Sequence, residues 1–188
     1  TFGDGERVRV DGLELVHERP GTTTRVGLTN LGTAAQFVGV PVGAPTGIYT
    51  PATACAPDVS IAIDADAAHA LAAWIALADS LLAELRETYA AHEPTAPTLW
   101  PEHFDLACEL GDARAGTRSN YGASPGDAGI CQPYLYVGPW DASRRSEKLG
   151  THPFGAAITY EELRDSHDAK GVGREFFLEG AARLLGQP

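Results

Sequence analysis

Four polar side chains between residues 100 and 140 have the types and spacing to act together: His103, Asp105, Asn120 and Asp127. On an extended strand, residues two apart leave the same face with Cα atoms about 6.5 to 7 Å apart. His103 and Asp105 so placed would converge on one ligand, as an acid/base pair or as two ligands of a divalent cation. A turn centred near Ala113, within Gly111 to Gly116, sets Asn120 and Gly122 across from Asp105 and His103, give or take one or two residues of register. Asn120 then joins the same surface, and Asp127 arrives from the turn beyond. His-x-Asp spacing also arises on any half-exposed strand. The preferred alternative is structural, with Asp105 and Asp127 accepting N–H groups of the adjoining turns.

Trp100, Tyr121, Tyr134, Tyr136 and Trp140 flank these strands. They would line a pocket for a flat or sugar-like ligand, although ordinary sheet packing accounts for the same residues and is preferred. The expected ligand-binding surface is His103, Asp105, Asn120, Tyr121, Tyr136 and Trp140. Three segments, Leu99-Trp100-Pro101-Glu102-His103-Phe104-Asp105, Asn120-Tyr121-Gly122-Ala123-Ser124-Pro125-Gly126-Asp127 and Pro133-Tyr134-Leu135-Tyr136-Val137-Gly138-Pro139-Trp140, resemble the WPEHFD, NYGxSPGD and PYxYVGPW blocks of a family of actinobacterial proteins. Pro153-Phe154-Gly155-Ala156 resembles a further block, with Gly150-Thr151-His152 in place of the aromatic and Asn expected before it. The resemblance implies an intact domain with an N-terminal β region and a helix, and carries no activity with it.

Other chemical motifs are weak. Cys108 falls on the inward face of its strand, as an inert packed thiol. Cys55 and Cys131 have no neighbouring cation, and the three cysteines lack CxxC spacing. Gly122-Ala123-Ser124-Pro125-Gly126 imitates a nucleophile elbow, but Pro125 removes a donor of the expected oxyanion hole. His69, His92, His152 and His167 carry no motif. GxGxxG and GxxxxGK[ST] are absent, so no cofactor is expected, and no metal beyond the weak candidates His103, Asp105 and Asp127.

The elements that must position these residues follow from periodicity. Residues 7 to 42 read as strands: Arg7 to Val10, an Asp11-Gly12 turn, Leu13 to Val16, then Thr22 to Leu28 and Gln36 to Val42 separated by Asn30 and Gly32. Prolines between 41 and 57 predict an irregular loop, with Ile61 to Ile63 a short strand after it. Leu71, Trp74, Ile75, Ala78, Leu81, Leu82, Leu85 and Tyr89 form the apolar stripe of a helix over about 65 to 91, with Asp64 as N-cap. His103 to Leu110 alternates as a strand, Thr117 to Tyr121 pairs back, and Ser124 to Asp127 suits a type II turn. Tyr134 to Val137 is a further strand. Thr159 to Glu162 is a capping box, and Arg174 to Leu185 a terminal helix with Phe176, Phe177, Ala181, Leu184 and Leu185 inward. Strands, one long helix, more strands and short helices do not alternate βαβ. The expectation is α+β: a mainly antiparallel sheet with the long helix and the C-terminal helices packed on one face.

The chain has 188 residues, 14 Lys plus Arg and 25 Asp plus Glu, a net charge of −11, and 44% hydrophobic residues. That length suits a single domain over 1–188, or two lobes over 1–93 and 98–188. The charge repels a phosphate backbone, so nucleic acid is not an expected partner. Residues 65 to 85 carry Asp66, His69, Asp79 and Glu84, which argue against a membrane span. The chain starts at Thr1 and contains no Met, so an initiator and a preceding segment are expected to be missing. A reducing cytoplasm is the expected location. The functional expectation is a domain binding a small polar molecule or a protein. The alternative is a metal-dependent or acid/base hydrolase using His103, Asp105 and Asp127, and a homodimer built on Trp140 and the terminal helix is a third possibility.

Overall fold

The computed structural model describes residues 5–43, 47, 54–101, 103–145, 149–150 and 152–186. The chain divides into two compact units, Thr1–Ala70 and Leu71–Pro188. The boundary lies inside the long helix, not in the proline-rich link after it, because the apolar stripe of that helix belongs to the core of the second unit.

The first unit holds an antiparallel sheet of β1 (Arg7–Asp11), β2 (Glu14–Arg19) and β3 (Thr22–Gly27). Asp11 faces Glu14, which leaves Gly12 and Leu13 as a two-residue hairpin loop with Gly12 at φ 61°. No strand forms over Gln36–Val42: Gln36, Phe37 and Val38 are the last turn of a helix, α1 (Leu31–Val38), and Gly39 to Val42 are irregular. Asn30 initiates it: its side-chain oxygen accepts the Thr33 N–H at 2.7 Å, satisfying a donor that the first helical turn leaves open. Gly39 ends it in the left-handed region at φ 75°. Ile61 to Ile63 form no strand; the Ile61 N–H bonds the Thr29 carbonyl at 2.8 Å. Residues 44–46 and 48–53 of the expected proline loop lie outside the described residues.

The long helix α2 (Ala65–Thr88) starts as expected, with Asp64 Oδ1 accepting the N–H groups of Asp66 and Ala67 at 2.9 and 3.0 Å. By length and composition it could cross a membrane, but Trp74, Ala78, Leu81, Leu82 and Leu85 are buried in the core of the second unit. It stops three residues before the expected end, and Glu93 turns the chain at φ 51°.

The second unit is an antiparallel meander of β4 (Thr98–Trp100), β5 (Asp105–Leu110), β6 (Ser119–Ser124), β7 (Tyr134–Pro139) and β8 (Ala156–Thr159), in that spatial order. One face is apolar: Leu106, Cys108, Leu110, Tyr121, Ala123, Leu135, Val137 and Ala156 pack with α2 and with α4 (Ala169–Leu185). The helices thus lie on one face, as the α+β expectation requires, but the strands form two antiparallel sheets and not one. Thr159 and Glu162 cap each other at the start of α3 (Tyr160–Arg164) as the sequence predicts. Asp168, accepting the Gly171 N–H at 2.9 Å, starts α4 five residues earlier than the apolar periodicity alone suggested.

Gly180 lets α4 lie directly on β7, since a Cβ there would stand 2.9 Å from Val137 Cγ2. Val137 is β-branched and fully buried, so it has no free rotamer with which to yield. Gly180→Val is expected to destabilise the protein by about 1 to 3 kcal/mol through overpacking, read as a lower urea midpoint at unchanged slope. An unchanged midpoint would show that the helix does not approach the sheet this closely.

Candidate functional site

The face of the five-stranded sheet opposite the helices collects the polar residues singled out in the sequence. Its strand β5 begins later than the alternation suggests. Trp100 pairs with Asp105, Phe104 takes a left-handed φ of 55°, and its N–H bonds the Trp100 carbonyl at 2.7 Å. Pro101, His103 and Phe104 therefore belong to the hairpin loop between β4 and β5. His103 is exposed on that loop and not a strand residue, which corrects the expected His103–Asp105 strand geometry; Asp105 is the first residue of β5.

Register departs from expectation as well. Asn120 faces Glu109 and Gly122 faces Ala107, so Asn120 lies four residues along β5 from Asp105. Leu110 pairs with Ser119, which centres the connection between Arg114 and Ala115 instead of at Ala113. Asp112 and Thr117 close this wider loop through the Thr117 N–H to the Asp112 carbonyl at 2.9 Å and the Asp112 N–H to Thr117 Oγ1 at 2.9 Å. Asn120 nonetheless keeps the outer face, because a shift by an even number of residues preserves the side of the sheet.

At the centre of that face Tyr136 lies across β6 and donates its O–H to Asp105 Oδ2 on β5. Gly122, paired with both Ala107 and Tyr136, makes this crossing possible: a Cβ there would sit 2.6 Å from Tyr136 Cζ. Asp105 is only 7% exposed, and its Oδ1 is buried with no hydrogen-bond partner among the described residues. Burial, and then the neighbouring Asp105 charge, push the Tyr136 phenol far above its ordinary range, so it remains a donor.

A second tyrosine–aspartate pair stands beside the first, and its carboxylate is fully engaged. Tyr134 donates to Asp127 Oδ2 at 2.6 Å, while Asp127 Oδ1 accepts the N–H groups of Gly129 and Ile130 at 2.7 and 2.9 Å. The Tyr134 bond, followed by the Ile130 N–H, holds the Asp127 carboxyl below its usual range. Tyr134 is pushed up to about 12, chiefly by burial and then by Asp127. Asp127 thus fulfils the structural expectation, and Asp105 does not. The turn around Asp127 also differs from the expected type II turn. Gly126 has the positive φ, 112°, but the Ser124 carbonyl accepts the Trp74 indole N–H at 2.9 Å, and the Asp127 N–H goes to Ile130.

Two adjoining recesses open on this face. The larger, about 560 Å³, is lined by His103, Asp105, Asn120, Tyr134, Tyr136 and Trp140, with Arg145 and Phe154 at its side. The smaller, about 420 Å³, shares His103, Asp105, Asn120, Tyr136 and Trp140 and adds Trp100 and Glu109. The Trp140 indole N–H donates to Asn120 Oδ1 at 2.9 Å, which fixes the indole and leaves the amide NH2 group of Asn120 for other acceptors. Glu109 is engaged by Arg118 at 2.9 Å.

Of the expected binding residues, His103, Asp105, Asn120, Tyr136 and Trp140 line the recesses, whereas Tyr121 does not. It is fully buried on the helix-facing side, edge-on to Phe177 at 6.3 Å, because odd-numbered residues of β6 face the core. Tyr134 and Trp100, named among the aromatics that would line a pocket, border the recesses, while Gly122, Arg145 and Phe154 join the site without having been assigned to it; a glycine inside a strand was the available signal for the first. Cys108 is buried, which pushes its thiol up to about 12, while Cys55 and Cys131 are exposed. No three His, Cys, Asp or Glu side chains among the described residues stand together as a metal-ligating group. Comparison with family models, curated proteins and solved structures finds no match to this chain.

Gly122→Ala is expected to displace the Tyr136 ring and cost about 1 to 3 kcal/mol of stability. Denaturation together with a downward move of the Tyr136 titration checks it, and a neutral substitution would contradict the crossing geometry. A carboxyl held below its unfolded value of about 3.9 contributes its full stability above that pH and loses it as pH falls through the folded value. Between about pH 6 and about pH 3 the wild type is therefore expected to lose more stability than Asp127→Asn. Equal acid-induced losses would contradict the Tyr134–Asp127 pairing.

Proposed function

We propose that the second unit binds a small, donor-rich polar molecule in the recess on the outer face of its sheet. Asp105 carries this reading: one carboxylate oxygen takes the Tyr136 O–H, the other is buried without a partner among the described residues, and the residue borders both recesses. A buried acceptor left unpaired costs about 1 to 3 kcal/mol, more when charged, and a ligand hydroxyl or ammonium that reaches it recovers that loss. Trp140 offers a fixed apolar wall, Asn120 a free amide, and His103 an exposed imidazole at the rim.

A concave site of this size suits a small molecule better than the broad surface a protein partner would cover. The hydrolase alternative draws less support, because it requires His103, Asp105 and Asp127 to act together. Asp127 already accepts three hydrogen bonds and is committed to its own turn and to Tyr134.

Saturation-transfer NMR with a panel of monosaccharides, inositol and amino acids tests the reading. At least one member is expected to receive saturation from the protein, and Asp105→Asn, which keeps an acceptor for Tyr136, is expected to weaken that signal by about tenfold or more. A panel without any binder, or a signal indifferent to Asp105→Asn and Trp140→Ala, would sink it.

A further inference from the structure

We propose that the two recesses act as one cleft for a linear neutral oligosaccharide, with Trp140 and Trp100 as stacking platforms on either side of Asp105. This inference rests on the binding reading above and names its ligand class. The recesses share five residues, among them Asp105 at the floor, so a chain longer than one ring would have to occupy both. Trp100 lies on β4 level with Asp105, and Trp140 follows β7 level with Arg118, so their backbones stand three strand spacings, about 14 Å, apart across the sheet and about 20 Å apart along it, with Asp105 and Asn120 between the two indoles.

Both indoles are unusually open, at 45% and 53% exposure. Large exposed aromatic surface in a recess marks a contact site, and an indole fixed by its own N–H loses little freedom on binding. Trp140 meets that condition through Asn120. Sugar rings present C–H faces that stack on indoles and hydroxyls that both donate and accept. The floor offers the matching groups: the Asp105 carboxylate, whose Oδ1 is buried just behind the lining, the amide NH2 of Asn120 and the imidazole of His103.

Other extended ligands fit less well. A polyanion meets Asp105, Asp127 and a chain of net charge −11. An aromatic cage for a cation requires several ring faces turned on one point, yet Trp100 and Trp140 are three strands apart while Tyr134, Tyr136 and Phe154 pair with one another at 6.0 to 6.2 Å and form a single wall. A proline-rich peptide would use exposed aromatics, but its prolines lack the N–H donors that Asp105 calls for.

The chain has three tryptophans, so replacement by 5-fluorotryptophan gives one 19F signal per site. Trp74 is 5% exposed and bonded to the Ser124 carbonyl, which makes it an internal control of folding. Trp100→Phe and Trp140→Phe assign the other two signals. The probes are cellohexaose, maltohexaose, chitohexaose, xylohexaose and their monosaccharides. At least one hexasaccharide is expected to shift both Trp100 and Trp140, leave Trp74 in place, and bind about tenfold or more tighter than its monomer. Asp105→Asn should weaken it by a similar factor. Equal affinity of monomer and hexamer, with Trp100 unmoved, would overturn the extended cleft while leaving the small-molecule site standing. Silence from every carbohydrate would overturn this inference, with the amino acids and inositol of the earlier panel deciding whether the site itself survives. A proline-rich decapeptide that moves both indoles in place of the sugars would likewise overturn it.

Discussion

The hydrogen bond from Tyr136 to Asp105 across Gly122 organises the outer face of the second unit. A phenol can span from β7 to β5 only where the intervening strand offers no side chain, and the 2.6 Å clearance at Gly122 leaves room for none. Once that bond is made, three consequences follow. The aspartate is held at the ring hydroxyl and out of water, the tyrosine is kept protonated by burial and by the neighbouring charge, and one carboxylate oxygen is buried with no donor among the described residues. Hydrogen-bond donors are costly to withhold from such an atom, so the site is built with an unmet demand at its floor.

The layer arrangement explains why this demand arises here. A five-stranded antiparallel sheet covered by helices on one side places alternate residues of every strand on the other. α2 and α4 consume the apolar alternates, among them Cys108, Tyr121, Leu135 and Val137. The remaining alternates, Asp105, Asn120, Gly122, Ser124, Tyr134 and Tyr136, are brought together by strand pairing alone. The close seat of α4 at Gly180 and the caps at Asp64 and Asp168 hold the helical layer against the sheet. They therefore stabilise the site without touching it.

Much of this was legible in the sequence because side-chain alternation has a fixed period. The inward placement of Cys108, the outward placement of Asp105 and Asn120, the stripe of α2 and the capping box at Thr159 follow from local pattern. What failed depended on geometry that pattern does not encode. Asn30 serves turns and helix N-caps equally well, and here the cap prevailed and converted an expected strand into α1. Phe104 adopts a conformation that bulky residues seldom take, which moved His103 from the strand to the hairpin loop. Loop length between β5 and β6 set the register, and the Asp112–Thr117 closure made that loop wider than its glycines suggested. Tyr121 was misjudged through parity: its neighbours Asn120 and Gly122 face out, so it must face in.

The two tyrosine–aspartate pairs differ in what surrounds each carboxylate, and that difference separates scaffold from site. Asp127 sits in a turn whose free N–H groups point at it, so with Tyr134 it is saturated and its charge is stabilised in place. Asp105 opens a strand, where the backbone N–H groups serve the ladder with β4 and β6 and not side chains of the same strand. A strand position therefore supplies an aspartate with cross-strand partners, and among the described residues Tyr136 is the one it has. The same element that buries Asp105 leaves it without a second local donor among the described residues, which is why the proposed function looks to a bound molecule for the missing hydrogen bond.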